Sequence, residues 1–243
     1  MGVMLLLVLG VGMGIGWLWW GWHCEQKTIG QLRATNAETK SMQIGPEWLG
    51  RALGQRFAYL RNRVDGLGWV KKNGEEIERA DLKSLEHLDT LILWDCKITN
   101  RTLARVGEAS SVRTLRLVNI DIDNPNLAPL TTLPRLAKLN LSYSNVSGKW
   151  LAQISAMKNL RELNLAYTTV QDDDLRYLQG LTGLEALNLS VTRISDAGLK
   201  RLTGLKSLRL LAVEDTLVTP EGLAKLKRAI PGLTLRTPIK AGP

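Results

Sequence analysis

The 243-residue chain is poor in the residues that carry most enzyme chemistry, with only two cysteines, Cys24 and Cys96, and two histidines, His23 and His87. Two cysteines so placed make no disulfide framework and leave the redox compartment undefined. Cys96 reads as a small buried hydrophobe. A histidine-dependent triad would have to use His87, and a Cys96 nucleophile would be buried. The sequence contains no Gly-rich phosphate loop, no H-E-x-x-H and no paired C-x-x-C. These absences point away from a catalytic residue set, a metal site and a cofactor. The formal net charge is +9, yet the excess is dispersed. Nucleic-acid binding needs a concentrated basic stripe interleaved with aromatics, so no nucleic-acid partner is expected.

What the chain has in abundance is leucine at a fixed interval. Leu88, Val112, Leu136, Leu160, Leu184 and Leu208 follow one another at 24-residue steps. Counting each as position 0, positions 3, 5, 8, 10, 15, 18 and 21 are apolar or small; in the fifth unit they are Leu187, Leu189, Thr192, Ile194, Leu199, Leu202 and Leu205. Positions 3 and 5 alternate with period two, the mark of a short strand, and positions 15, 18 and 21 line one face of a helix. Between them, position 11 holds Thr99, Asp123, Ser147, Gln171, Ser195 and Thr219. All but Gln171 are good N-cap residues, and Pro220 suits a first helical turn. The run Asp172-Asp173-Asp174 falls at a helix start, where the helix dipole favours negative charge, and needs no metal. Position 8 carries Cys96, Ile120, Ser144, Thr168, Thr192 and Thr216. The later hydroxyls are expected to bond to backbone of adjacent turns, and the earlier units to be less regular. One such unit cannot bury enough apolar surface to offset its own ordering, so the units must stack. The expected fold is an α/β leucine-rich-repeat solenoid of about six full repeats, with a parallel β-sheet on the concave side and short helices on the convex side.

The ends differ. Val64, Leu67, Trp69, Leu82 and Leu85 fit a degenerate earlier repeat that Lys72, Gly74 and Arg79 interrupt. Residues 46–63 read as an amphipathic N-terminal cap helix with Leu49, Leu53, Phe57 and Leu60 on one face. At the other end, Leu233 and Leu235 open a seventh strand, broken by Pro238 and flanked by the basic Arg236 and Lys240. Residues 2–22 carry no charge and hold Trp17, Trp19, Trp20 and Trp22 near their end. Such a helix would be about 31 Å long, close to the roughly 30 Å hydrocarbon core, with an interfacial aromatic belt. The expected organisation is a transmembrane anchor over residues 1–23, a juxtamembrane linker over 24–45, the cap helix over 46–63 and the repeat domain over 64–243. A cleaved signal peptide and a lipoprotein at Cys24 are the competing readings of the first segment. The expected localisation is a single-pass membrane protein, with the side of the repeats left open.

Positions 2, 4, 6 and 7 surround the strand leucines and face the concave side. Asn140, Asn164 and Asn188 share position 4, Tyr143 and Tyr167 share position 7, and Trp94 occupies position 6. Strands about 4.8 Å apart stack such side chains in columns. These six residues are the candidate partner-binding surface, and the expected function is a non-catalytic, membrane-anchored protein-binding scaffold. The alternative is a structural cell-envelope component, held to an anionic polymer or membrane surface by Lys200, Arg201, Lys225, Lys227 and Arg228 on the outer helices.

The phrase L-x-x-L-x-L-x-x-T-x-I-x-D-x-G-L-x-x-L-x-x-L, beginning at Leu184 and ending at Leu205, resembles the leucine-rich repeats common in planctomycete bacteria. Many of those proteins have a short N-terminal membrane helix with a Trp-rich end, followed by a segment like Trp48-Leu-Gly-Arg-Ala-Leu-Gly-Gln-Arg-Phe57. The resemblance implies the solenoid fold and the membrane helix and carries over no catalytic residues. The chain differs from that group in having no basic residues ahead of the apolar segment.

Overall fold

The computed structural model describes residues 38–43, 62–70, 77–120 and 126–236. The expected membrane segment and residues 46–61 of the expected cap helix lie outside them. Among the described residues, no helix is long and apolar enough to cross a membrane.

The repeat period becomes a sheet of nine strands in sequence order. They are β1 (Glu38–Gln43), β2 (Asn62–Val70), β3 (Thr90–Trp94), β4 (Thr114–Val118), β5 (Lys138–Asn140), β6 (Glu162–Asn164), β7 (Ala186–Asn188), β8 (Leu210–Ala212) and β9 (Thr234–Arg236). From β2 to β9 all neighbours are parallel, and the Leu67, Leu91, Leu115, Leu139, Leu163, Leu187, Leu211 and Leu235 column is in register at 24-residue steps. Like therefore stacks on like, and a residue type repeated in sequence becomes a column in space. The degenerate earlier unit joins this ladder through β2. Two readings are corrected at this end. Glu38–Gln43 lies in the stretch expected to be linker, but it is a strand pairing antiparallel with β2. Asn62 and Arg63, expected to finish the cap helix, belong to β2.

Leucines at positions 0, 3 and 5 of the six repeats are almost wholly buried, together with positions 18 and 21 in most units. One buried position escapes the apolar pattern. Position 14 is buried in four of the six repeats, at Thr102, Trp150, Gly198 and Gly222, whereas Asn126 is exposed and Asp174 half-buried.

The convex segments are α1 (Asn100–Val106), α2 (Ala128–Thr131), α3 (Gly148–Ile154), a 3-10 helix over Asp172–Leu178, α4 (Asp196–Arg201) and α5 (Pro220–Ala229). The 3-10 helix over Asp172–Leu178 has the same three-residue apolar spacing as its α-helical neighbours, so that spacing fits both geometries. Thr99, Ser195 and Thr219 cap as expected, accepting from Arg101 N and Thr102 N, from Ala197 N, and from Gly222 N. Ser147 occupies the N-cap of α3 without a side-chain cap bond. Each acidic residue of the Asp172-Asp173-Asp174 run has a structural partner. Asp174 accepts from the Gln171 backbone N–H, Asp173 pairs with Arg201, and Asp172 reaches the next repeat. There it accepts from Ser195 N at 2.8 Å and Ser195 Oγ at 2.5 Å. One repeat later, Asp196 accepts from Thr219 N at 2.8 Å and Thr219 Oγ1 at 2.7 Å. A Cβ on Gly198 or Gly222 would collide with these same carboxylates. The D-x-G phrase is thus an inter-repeat joint: the Asp of one unit occupies the space that glycine leaves in the next.

Position 8 behaves differently from its expectation. The Thr168, Thr192 and Thr216 hydroxyls donate to carbonyls three residues back, within their own turn. Ser144 does reach across, donating to Leu117 O and accepting from Ile120 N.

Candidate binding surface

The concave face forms a shallow groove of about 450 Å³. Its floor includes Asn140, Asn164 and Asn188, which the pleat places at position 4 of β5, β6 and β7 and which are half-buried. Each asparagine Oδ1 accepts from the backbone N–H two residues on. The partners are Ser142 at 2.9 Å, Ala166 at 3.0 Å and Ser190 at 2.9 Å. An Asx turn of this kind replaces a ladder bond with a side-chain bond. Strands β5, β6 and β7 each end at this asparagine. The asparagine column is therefore part of the backbone architecture as well as of the groove. The sequence supplies the column, but only the turn geometry reveals that its acceptors are engaged.

Position 7 follows this turn. Asp95, Asn119, Tyr143, Tyr167, Val191 and Asp215 all lie in the left-handed region, with φ between 51° and 60°. Asp and Asn tolerate this conformation; for other L-residues it costs roughly 1–2 kcal/mol. The column thus changes character along the sheet. Asn119 Nδ2 donates to Asp95 Oδ1 at 2.8 Å. The next two residues, Tyr143 and Tyr167, stack with centroids 4.2 Å apart and ring planes 12° apart. They are 53% and 48% exposed, so the strained backbone holds an aromatic pair that the core does not use. The Tyr143 hydroxyl is held protonated above the usual phenol range, chiefly by its hydrogen bond with Tyr167.

Trp94 ends β3 and is 55% exposed, paired in register with Val118. Two repeats separate it from Tyr143, about 10 Å along the sheet, so the structure does not bring it into the tyrosine stack. Charged residues also reach the concave face. Lys138 and Glu162, neighbours at position 2, pair at 2.7 Å, and Arg236 lies 3.8 Å from Glu214. Arg116 lines the same groove and is exposed. Nothing in the sequence spacing of Arg116 and Arg236 sets them apart from a solvated face; the position-4 column they share with the asparagines is the signal that could have found them. Cys96 is buried, its thiol donating to Trp94 O. Among the described residues, no group of three or more His, Cys, Asp or Glu could hold a metal ion.

No family model matches the chain, and no curated protein matches it. Among solved structures it is similar to an internalin (InlF) of Listeria monocytogenes, at 21% identity and TM-score 0.52, over 66% of this chain and 44% of that one. It is also similar to internalin C2 of the same organism, at 21% identity and TM-score 0.50, over 72% of this chain and 80% of that one. The chain spans less than half the length of the first. These likenesses bear on fold, and with the 24-residue ladder they identify a leucine-rich-repeat solenoid.

Proposed function

We propose that this chain is a non-catalytic, membrane-anchored scaffold that captures a protein partner on the concave side of its repeats. The observation that carries the reading is the Tyr143–Tyr167 pair. Two large side chains stand exposed on backbone that Asn or Asp would occupy at lower cost, as at Asp95, Asn119 and Asp215. Strain kept at a solvent-facing site points to a function that the fold alone does not need. Exposed tyrosines supply amphipathic contact area at low entropic cost, which protein interfaces use. Trp94 offers a second aromatic contact, and the asparagine column is part of the groove floor.

The test exploits the repeat itself. Tyr143→Asn with Tyr167→Asn copies the residue already accepted at Asn119, so the fold is kept or gains stability. Cross-linking in native membranes followed by affinity capture should lose the partner from this double variant. An unchanged partner set would end the reading.

The electrostatic alternative has less support. Of its five basic residues, Arg201 pairs with Asp173, and Lys225 pairs with Glu221 at 2.6 Å. If it held, replacing Lys200, Arg201, Lys225, Lys227 and Arg228 with Gln would release the protein from envelopes, and salt would do the same. Membrane anchoring rests on the uncharged residues 2–22. The mass of the mature N-terminus tests it, with loss of the apolar segment indicating cleavage instead. Protease protection on spheroplasts would assign the side of the repeats.

A further inference from the structure

We infer that the position-4 column binds an extended acidic peptide segment, using a row of hydrogen-bond donors between two arginines. The inference rests on the scaffold reading and names the chemistry of its partner.

The column runs Ile92, Arg116, Asn140, Asn164, Asn188, Ala212, Arg236, with each neighbouring pair in sheet register. The three asparagine Oδ1 atoms each take a backbone N–H. Because the partner is a donor, the amide orientation is settled, and Nδ2 is the group left to face a ligand. No hydrogen bond among the described residues engages these three Nδ2 groups. Each of these side chains thus commits its oxygen to the backbone and keeps its N–H donors uncommitted, three times in a row. Arg116 continues the row on one side with a guanidinium that meets no carboxylate among the described residues. Arg236 closes the other side, 3.8 Å from Glu214 and itself 76% exposed. From Arg116 to Arg236 the row spans about 24 Å at the spacing of neighbouring strands.

Such a row asks for a ligand that is extended, rich in acceptors and negative. A peptide laid across the strands offers backbone carbonyls to the amides and carboxylates to the guanidiniums. The flanks favour a peptide over a sugar polymer. Leu210 is 41% exposed and lines the groove beside Ala186 and Ala212, while Trp94 stands at the opposite end of the sheet. Apolar shoulders accept the alternate side chains that an extended peptide presents.

The experiment uses the full chain in detergent micelles and a fluorescein-labelled dodecapeptide of alternating Glu and Leu, followed by anisotropy. Asn164→Asp is the decisive variant, because it keeps the acceptor for the Ala166 N–H while replacing the donor with a carboxylate. Binding of the wild-type chain is expected, weakening as salt is raised, with a loss of about tenfold or more in N164D and in Arg116→Gln. Circular dichroism of N164D should match wild type. No binding of the Glu-Leu peptide, equal binding of a Lys-Leu peptide, equal or tighter binding of polygalacturonate, or unaltered binding by N164D with its fold intact would each overturn the proposal. Partner capture lost in the Tyr143/Tyr167 variant but retained in N164D and R116Q would overturn it too, while leaving the scaffold reading standing.

Discussion

Val191 offers the sharpest test of the repeat's backbone. It sits at position 7 with φ 55°, its side chain half-buried, and its N–H donating to Glu214 O at 2.7 Å. A β-branched residue is the least suited of all types to left-handed backbone. Replacement by Ala removes the branch but keeps a Cβ, so most of the conformational cost stays. Replacement by Gly removes that cost, roughly 1–2 kcal/mol, and adds back about 0.5–1 kcal/mol through the greater freedom of the unfolded chain. Asn gains the conformational relief without the full entropic loss. The expected order of stability is Asn above Gly above Ala, reversing the usual preference for Ala over Gly. Asn and Ala should differ by about 1 kcal/mol, or about 2–4 °C in Tm for a chain of this size. Urea and thermal unfolding of the full chain in detergent, followed by circular dichroism, measure both quantities. Val→Ala also gives up some apolar burial, so the comparison among the three replacements decides the matter. An Ala variant as stable as the Asn variant would refute the left-handed assignment and, with it, the strain argument for Tyr143 and Tyr167.

Gly222→Ala should destabilise by about 2 kcal/mol, since its Cβ meets the Asp196 carboxylate and must push it off Thr219. Gly204→Ala is the control: its Cβ meets nothing within 4 Å, and the urea midpoint should hold or rise slightly. Asp196 is held below the ordinary carboxylate range, first by the Thr219 hydroxyl and then by its backbone N–H. A group so lowered contributes stability that is complete above its unfolded pKa and is lost as pH falls through the folded one. Acid titration of stability should therefore show a loss below the ordinary carboxylate range that Asp196→Asn removes; identical titration curves would count against the joint. Leu187, 2% exposed at the centre of the leucine column, should tolerate Asp least. An unpaired buried charge costs several kcal/mol, and in a stacked core that loss spreads to neighbouring repeats. Unchanged melting of L187D would contradict the burial.

The ladder from Leu67 to Leu235 was legible because a strict 24-residue period admits one stacking register, and the inward leucines mark it unambiguously. Caps at Thr99, Ser195 and Thr219 were legible for a local reason: a side-chain oxygen and an N–H two or three residues away meet without tertiary help. The burial of position 14 in four repeats was not, because its buried occupants range from Gly198 to Trp150 and share no hydropathy. They are buried by the approach of the next convex segment, which no single repeat encodes. Strand β1 escaped because Glu38–Gln43 is largely polar and lacks the alternation that identifies a half-buried strand. Its assignment comes from pairing with β2. Of the candidate surface, the columns of Asn and Tyr could be read from spacing, while the bonds within them could not.

By itself, the sequence determined the repeat length, the inward side chains and which residue types line up along the sheet, because register turns repetition into columns. The tertiary structure alone decided what those columns can do. It bent position 7 into the left-handed region, stacked Tyr143 on Tyr167 and left both exposed. It also turned each groove asparagine so that its oxygen accepts from the chain's own backbone. The physical reason is that a hydrogen bond belongs to a pair of groups in space. The same asparagine is donor, acceptor or both according to the backbone that reaches it first.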